Sequence, residues 1–123
     1  MLDTARALYT FWSGFGLPAY TVDTVPHDAA MPYITYSLVE TEPLETASHY
    51  AQVWYRTQHF GDLLATVDAI KAKLTDGTQG ARIDCPEGYV CIRPASPLVQ
   101  ILTDADPSVK YAYINLQINC YHN

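Results

Sequence analysis

The sequence predicts an α+β fold in two layers, a mostly antiparallel or mixed sheet of about four or five strands with two helices packed on one face. Three observations carry that expectation. Apolar residues recur at helical spacing in two separate segments, the last segment alternates apolar and polar residues along its whole length, and the segments run helix, strands, helix, strands along the chain. No repeat, low-complexity run or linker interrupts the 123 residues, so a single domain spanning 1–123 is expected.

Each element has its own justification. Leu2, Ala5, Leu8, Tyr9 and Trp12 fall at spacings of three or four, which is one helical face, and Gly14 and Gly16 supply permissive backbone where that helix must stop. Leu17 to Tyr20 then runs extended. Pro26 and Pro32 bracket a polar loop, and Tyr33 to Val39 is a strand by its β-branched and aromatic content. A second strand from Tyr50 to Gln58 follows the polar stretch from Glu40 to His49, so a long hairpin with an acidic tip is the simplest connection. On that strand Ala51, Val53 and Tyr55 share one face and Gln52, Trp54 and Arg56 the other. A Trp on the more polar face implies that something covers it, either a helix of the same subunit or a neighbouring subunit.

Phe60, Leu63, Leu64, Val67, Ile70 and Leu74 form an apolar stripe over a helix from Phe60 to Thr75. Asp62 and Asp68 lie toward its start and Lys71 and Lys73 toward its end, as the helix dipole favours, with Asp76-Gly77 as the stop. Ala81–Cys85 and Tyr89–Arg93 flank Pro86-Glu87-Gly88, a tight hairpin in which Gly88 takes any left-handed position. Asp104 to Ser108 is a second acidic turn. In the final strand Ala112, Ile114, Leu116, Ile118 and Cys120 line the core face, while Tyr111, Tyr113, Asn115, Gln117, Asn119 and Tyr121 line the other. That second face is uncharged, aromatic and amide-rich, which suits contact with another protein better than contact with water.

Composition removes several function classes. With a net charge of -6 and only seven Lys and Arg, the chain has no surplus with which to neutralise phosphates, so sequence-specific nucleic-acid binding is not expected. No apolar run approaches the roughly 20 residues of a membrane span, and no signal-peptide pattern opens the chain, which points to the cytoplasm or a particle assembled there. Gly77 and Gly80 lack the G-K-[ST] ending of a phosphate loop. Cys85, Cys91 and Cys120 have no C-x-x-C spacing and read as free thiols, the alternative being a mixed site of Cys85, Cys91 and His122. His27, His49 and His59 read as solvated, and no metal or cofactor is expected. Of the aromatic residues, ten are tyrosine, which can be buried in an interface and still use its hydroxyl.

The order of segments resembles that of the tail terminator, or tail completion, proteins of long-tailed bacteriophages and prophages. The resemblance runs through the aromatic N-terminal helix, SGFG-x-PAY, VP, PYITY, WYR at Trp54-Tyr55-Arg56, Pro97-Leu98-Val99-Gln100 and the final strand. It implies a small α+β subunit of a ring, commonly a hexamer, that caps the tail tube and receives the head. The partners implied are the tail tube protein and the head-tail connector, in the virion neck, with assembly in the host cytoplasm. Head-tail joining proteins of the same region share much of this pattern.

Three functional classes are therefore weighed. The first is a ring-forming virion protein without catalytic activity. Its candidate interface is Trp54, Arg56, Tyr111, Tyr113, Asn115 and Gln117, and its candidate lumen or docking loop carries Glu40, Glu42 and Glu45. The second is a small enzyme in which Cys91 is activated by His49 or His122 with a carboxylate such as Asp84. The third is a monomeric ligand-binding module.

Overall fold

The computed structural model describes residues 4–40, 42, 45–75 and 80–122, with the backbone alone for His122. Helix α1 spans Thr4–Trp12 and continues as a 3-10 turn over Ser13–Phe15, and α2 spans Gly61–Leu74. The strands are β1 (Ala19–Thr21), β2 (Tyr33–Tyr36), β3 (Thr46–Arg56), β4 (Ala81–Cys85), β5 (Gly88–Thr103) and β6 (Val109–His122). They form one six-stranded, curled mixed sheet in the order β1-β2-β3-β6-β5-β4. The class is α+β, but the sheet has one strand more than expected and curls as a half-barrel instead of lying as a flat layer.

The extra strand is the extended run after Gly16, whose φ of 81° closes the 3-10 turn in the left-handed region open to glycine. β1 pairs with β2 in parallel, tied by the Ile34 N–H donating to the Pro18 carbonyl at 2.8 Å. All other pairings are antiparallel. β2 ends at Tyr36, short of Val39, and β3 begins at Thr46, before Tyr50, so the long hairpin is present with its strands shifted. The Asp76-Gly77 stop lies outside the described residues. Thr75 caps α2 instead, its N–H and Oγ1 both donating to the Lys71 carbonyl.

Both helices pack on one face of the sheet, and two of the expected stripes shift. In α1 the buried residues are Thr4, Ala7, Leu8, Phe11 and Trp12, while Tyr9 is 55% exposed. Phe11 is drawn inward by edge-on contacts with Trp12 at 4.8 Å and Phe15 at 5.3 Å, which leaves Tyr9 turned about 100° from Leu8. In α2 the core-facing set is Leu63, Val67, Ile70 and Leu74, and Phe60 and Leu64 stay largely exposed. The Tyr55 hydroxyl reaches Thr66 Oγ1 at 2.6 Å and ties β3 to this helix. The core closes on Ala51 and Val53 of β3, Val90 and Ile92 of β5, and Ala112 to Cys120 at alternate positions of β6, as the alternation required.

β5 holds the largest irregularity. From Pro94 to Val99 five positions advance on β5 while only two, Leu116 to Ile114, advance on β6. The odd excess reverses the parity of side chains. Even-numbered Ile92 faces the core, but beyond the bulge Ile101 pairs with core-facing Ala112 and Leu102 with outward Tyr111. At the start of β4, Gly80 takes a φ of 79°, and a Cβ there would collide with the Ile92 carbonyl oxygen. Gly88 opens β5 with a positive φ of 153°, the glycine-favouring backbone expected of it in this hairpin.

Candidate assembly surface

The sheet face turned away from both helices carries most of the residues singled out from the sequence. The register aligns them in rows across the strands. Tyr33, Trp54, Tyr111 and Leu102 form one row, and Thr35, Gln52, Tyr113 and Gln100 the next. Tyr50 and Asn115 follow, then Ser48, Gln117 and Arg93, and finally Tyr121 beside Tyr89.

Cross-strand stacking holds these side chains against one another on the sheet. Trp54 stacks on Tyr111 at 4.5 Å and 23°, Tyr50 on Tyr113 at 5.5 Å and 9°, and Tyr89 on Tyr121 at 4.8 Å and 22°. Each such pair contributes about 0.5–1.5 kcal/mol beyond its buried area. Hydrogen bonds fix their orientation. Trp54 Nε1 donates to Thr35 Oγ1 at 2.9 Å, Thr35 Oγ1 donates to Gln52 Oε1 at 2.9 Å, and Asn115 Nδ2 donates to the Pro97 carbonyl in the bulge at 2.9 Å. Gln117 is exposed, and no helix of the subunit lies over Trp54, so of the two coverings weighed for that Trp the intramolecular one is absent among the described residues.

Charge is confined to the margins of this face. At one end Arg56 bonds Asp106 at 3.1 Å and Ser108 Oγ at 3.0 Å. Asp106 also accepts from the Ser108 hydroxyl and N–H, and these bonds, with Arg56 after them, hold its carboxyl below the usual range. The acidic turn is thus closed on itself and on Arg56. On the edge strand β4, Arg82 pairs with Asp84 and lies 3.8 Å over the Tyr89 ring. Arg93 donates to the Tyr121 hydroxyl at 3.0 Å, while its buried Nε has no hydrogen-bond partner among the described residues. The middle of the face is neutral.

Glu40, Glu42 and Glu45 are all exposed and lie on the connection between β2 and β3. Thr41, Pro43 and Leu44 of the same tip lie outside the described residues. Asn119, 8% exposed, anchors the end of the connection by donating from Nδ2 to the Glu45 carbonyl and to Thr46 Oγ1.

One expectation is overturned inside the core. His49 is 2% exposed, not solvated. Trp12 Nε1 donates to His49 Nε2 at 2.9 Å, so the neutral ring carries its proton on Nδ1 and donates it to Ser37 Oγ at 2.8 Å. The Tyr50 N–H donates to the same hydroxyl at 3.0 Å. Burial pushes the His49 pKa down to about 4, against a weaker opposing effect of the Ser37 backbone. His27 and His59 are exposed, as expected. The signal for His49 was present in the sequence, since alternation extended back from Val53 and Ala51 places position 49 on the core face.

That placement also separates the groups of the enzyme reading. His49 pairs with core-facing Leu116, whereas Cys91 and Asp84 lie on the opposite face, level with Asn119 and Tyr89. Burial raises the Cys91 thiol pKa, and both His49 nitrogens are engaged. Cys85 packs toward the core and Cys91 away from it, and the His122 side chain lies outside the described residues. Among the described residues no three His, Cys, Asp or Glu side chains are grouped to hold a metal. No described helix is long and apolar enough to cross a membrane.

No family model matches the chain, and no curated protein is significantly similar to it.

Proposed function

We propose that the protein is a subunit of a closed homo-oligomeric ring, commonly six copies in such assemblies, that caps the tail tube of a long-tailed phage or prophage and joins it to the head. The observation that carries the reading is the neutral tyrosine, tryptophan and amide face on a chain of net charge -6. A face left to water in such a chain would carry lysine and glutamate, whereas aromatics already held in place by stacking and hydrogen bonds present large contact area at little cost in side-chain entropy. Trp54, Tyr111 and Tyr113 form the centre of the contact, Asn115 and Gln117 its polar border, and Arg56 its charged margin. The segment order, similar to that of tail terminator proteins, supports the same role, and a head-tail joining role in the neck is the nearest alternative.

The face meets either the next subunit or the tail tube protein. Head-to-tail contacts between identical subunits give a finite assembly only when the rotation closes, which makes a ring the expected form. Glu40, Glu42 and Glu45 then stand at the lumen or docking rim, where negative charge keeps passing DNA from sticking. No catalytic step, metal or cofactor enters this reading. Native mass measurement and negative-stain imaging, each with and without tail tubes, test it. Rings in either condition support the proposal, and monomers in both, at high concentration, overturn it.

A further inference from the structure

On the side of β5 away from β6, β4 covers only the stretch from Gly88 to Ile92. From Val99 to Thr103 no described strand lies beyond β5. Two bonds nearby settle where the backbone groups of this stretch point. The Asp104 N–H donates to the Val109 carbonyl at 2.9 Å, and the Thr57 N–H donates to the Ser108 carbonyl at 2.7 Å. Hydrogen-bonded positions alternate in an antiparallel pair, so Leu102 and Gln100 exchange bonds with Tyr111 and Tyr113. Val99, Ile101 and Thr103 therefore direct their N–H and C=O groups out of the sheet, as a row of open donors and acceptors.

The two outer strands of the sheet are guarded and this stretch is not. β4 carries the Arg82–Asp84 pair on its edge, and β1 is three residues long with its Thr21 carbonyl already accepting from Thr24. Short edge strands and charged side chains are the usual protections against strand addition. Leu98 to Thr103, LVQILT, has neither charge nor proline, and Ile101 and Leu102 are each 38% exposed on opposite faces of the strand.

We propose that the Val99–Thr103 edge is completed by a strand from a second copy of this chain, extending the sheet across the subunit boundary. Charge selects the occupant. Copies of net charge -6 repel wherever their acidic loops meet, whereas the residues of this edge are uncharged and Asp106 of the adjoining turn is already paired with Arg56. It offers a foreign partner no charge to pair with, so recognition rests on the backbone row and on the apolar cover an added strand gives Ile101 and Leu102. The proposal deepens the reading of the protein as a self-assembling subunit, on which it rests for the identity of the occupant.

The test compares wild type with Ile101→Pro and Ile101→Lys by sedimentation, circular dichroism and amide hydrogen exchange. Proline at 101 removes an N–H that no bond among the described residues uses, and lysine there keeps the backbone but adds a guarding charge. Both variants are expected to fold and to self-associate at least tenfold more weakly, with the Val99, Ile101 and Thr103 amides protected only in assembled wild type. If the proline variant does not fold, the lysine variant decides. Unchanged association of the folded variants, or free exchange of those amides in the assembly, overturns the proposal. A ring whose edge amides exchange freely refutes the edge and leaves the ring reading standing. A closed pair with protected edge amides upholds the edge and refutes the ring, and a wild type that stays monomeric at every concentration overturns both.

Discussion

Lowering the pH should destabilise this protein through His49 in a window that the buried ring defines. The folded ring has a pKa of about 4 against 6.5 when exposed. A folded pKa below the unfolded one means that the unfolded chain binds more protons between those values, so stability falls as pH falls. The His49 contribution is complete above about pH 6.5, is lost progressively down to about pH 4, and is constant below it. At about 1.4 kcal/mol per unit, the full loss is about 3 kcal/mol, of which about 2.5 kcal/mol is spent between pH 7.5 and 4.5. The structural cause is specific. A proton on Nε2 displaces the acceptor for Trp12 and places a charge in the apolar contact between α1 and the sheet.

The assay is urea unfolding of wild type and His49→Gln at both pH values. Exposed carboxylates titrate in both proteins, so the quantity of interest is the difference between the two pH dependences. His49→Gln should be less stable at neutral pH yet lose about 2.5 kcal/mol less on acidification. Equal losses in the two proteins would refute the reasoning. Nitrogen chemical shifts give an independent check, since a neutral Nδ1–H tautomer is required at pH 7 by the Trp12 bond.

Other consequences are more direct. Gly80→Ala should cost roughly 2–4 kcal/mol in thermal or urea unfolding, because it adds left-handed strain to a collision with the Ile92 carbonyl. Tyr113→Ala should leave the monomer folded, with a stability loss of about 1 kcal/mol from the Tyr50 stack, while weakening self-association or tube binding by about tenfold or more in sedimentation or pull-down. Lysine at Glu40, Glu42 and Glu45 together should change monomer stability by only about 0.5 kcal/mol per site yet lower the yield of infectious particles, and normal yield would remove the lumen or rim role of that loop.

Much of the inner layer was legible because period-two alternation and helical spacing are local properties. Ala51, Val53 and the even positions of β6 from 112 to 120 are buried as the sequence implied, and so are Leu63, Val67, Ile70 and Leu74 of α2. The helical stripes were less well resolved at their borders. Tyr9, Phe60 and Leu64 are apolar enough to read as core, and only the direction from which the sheet meets each helix leaves them outside. His49 was missed for a different reason, since β3 begins at Thr46, four residues before the expected Tyr50, and the residue's polar type outweighed its position.

By itself the sequence determined the α+β class, an acidic net charge, and an aromatic, amide-rich face on the last strand. Only the tertiary structure decided which aromatics from other strands join that face, that Ala19–Thr21 adds a sixth strand, and that the bulge between Pro94 and Val99 reverses the alternation of β5. Only it sealed Trp12, Ser37 and His49 into one buried cluster and left one neutral edge open beyond β5. The physical reason is the same in each case. Side-chain period is written residue by residue, but register, sheet order and free edges are properties of pairs of segments far apart in the chain, settled by which backbone groups find partners when the core closes.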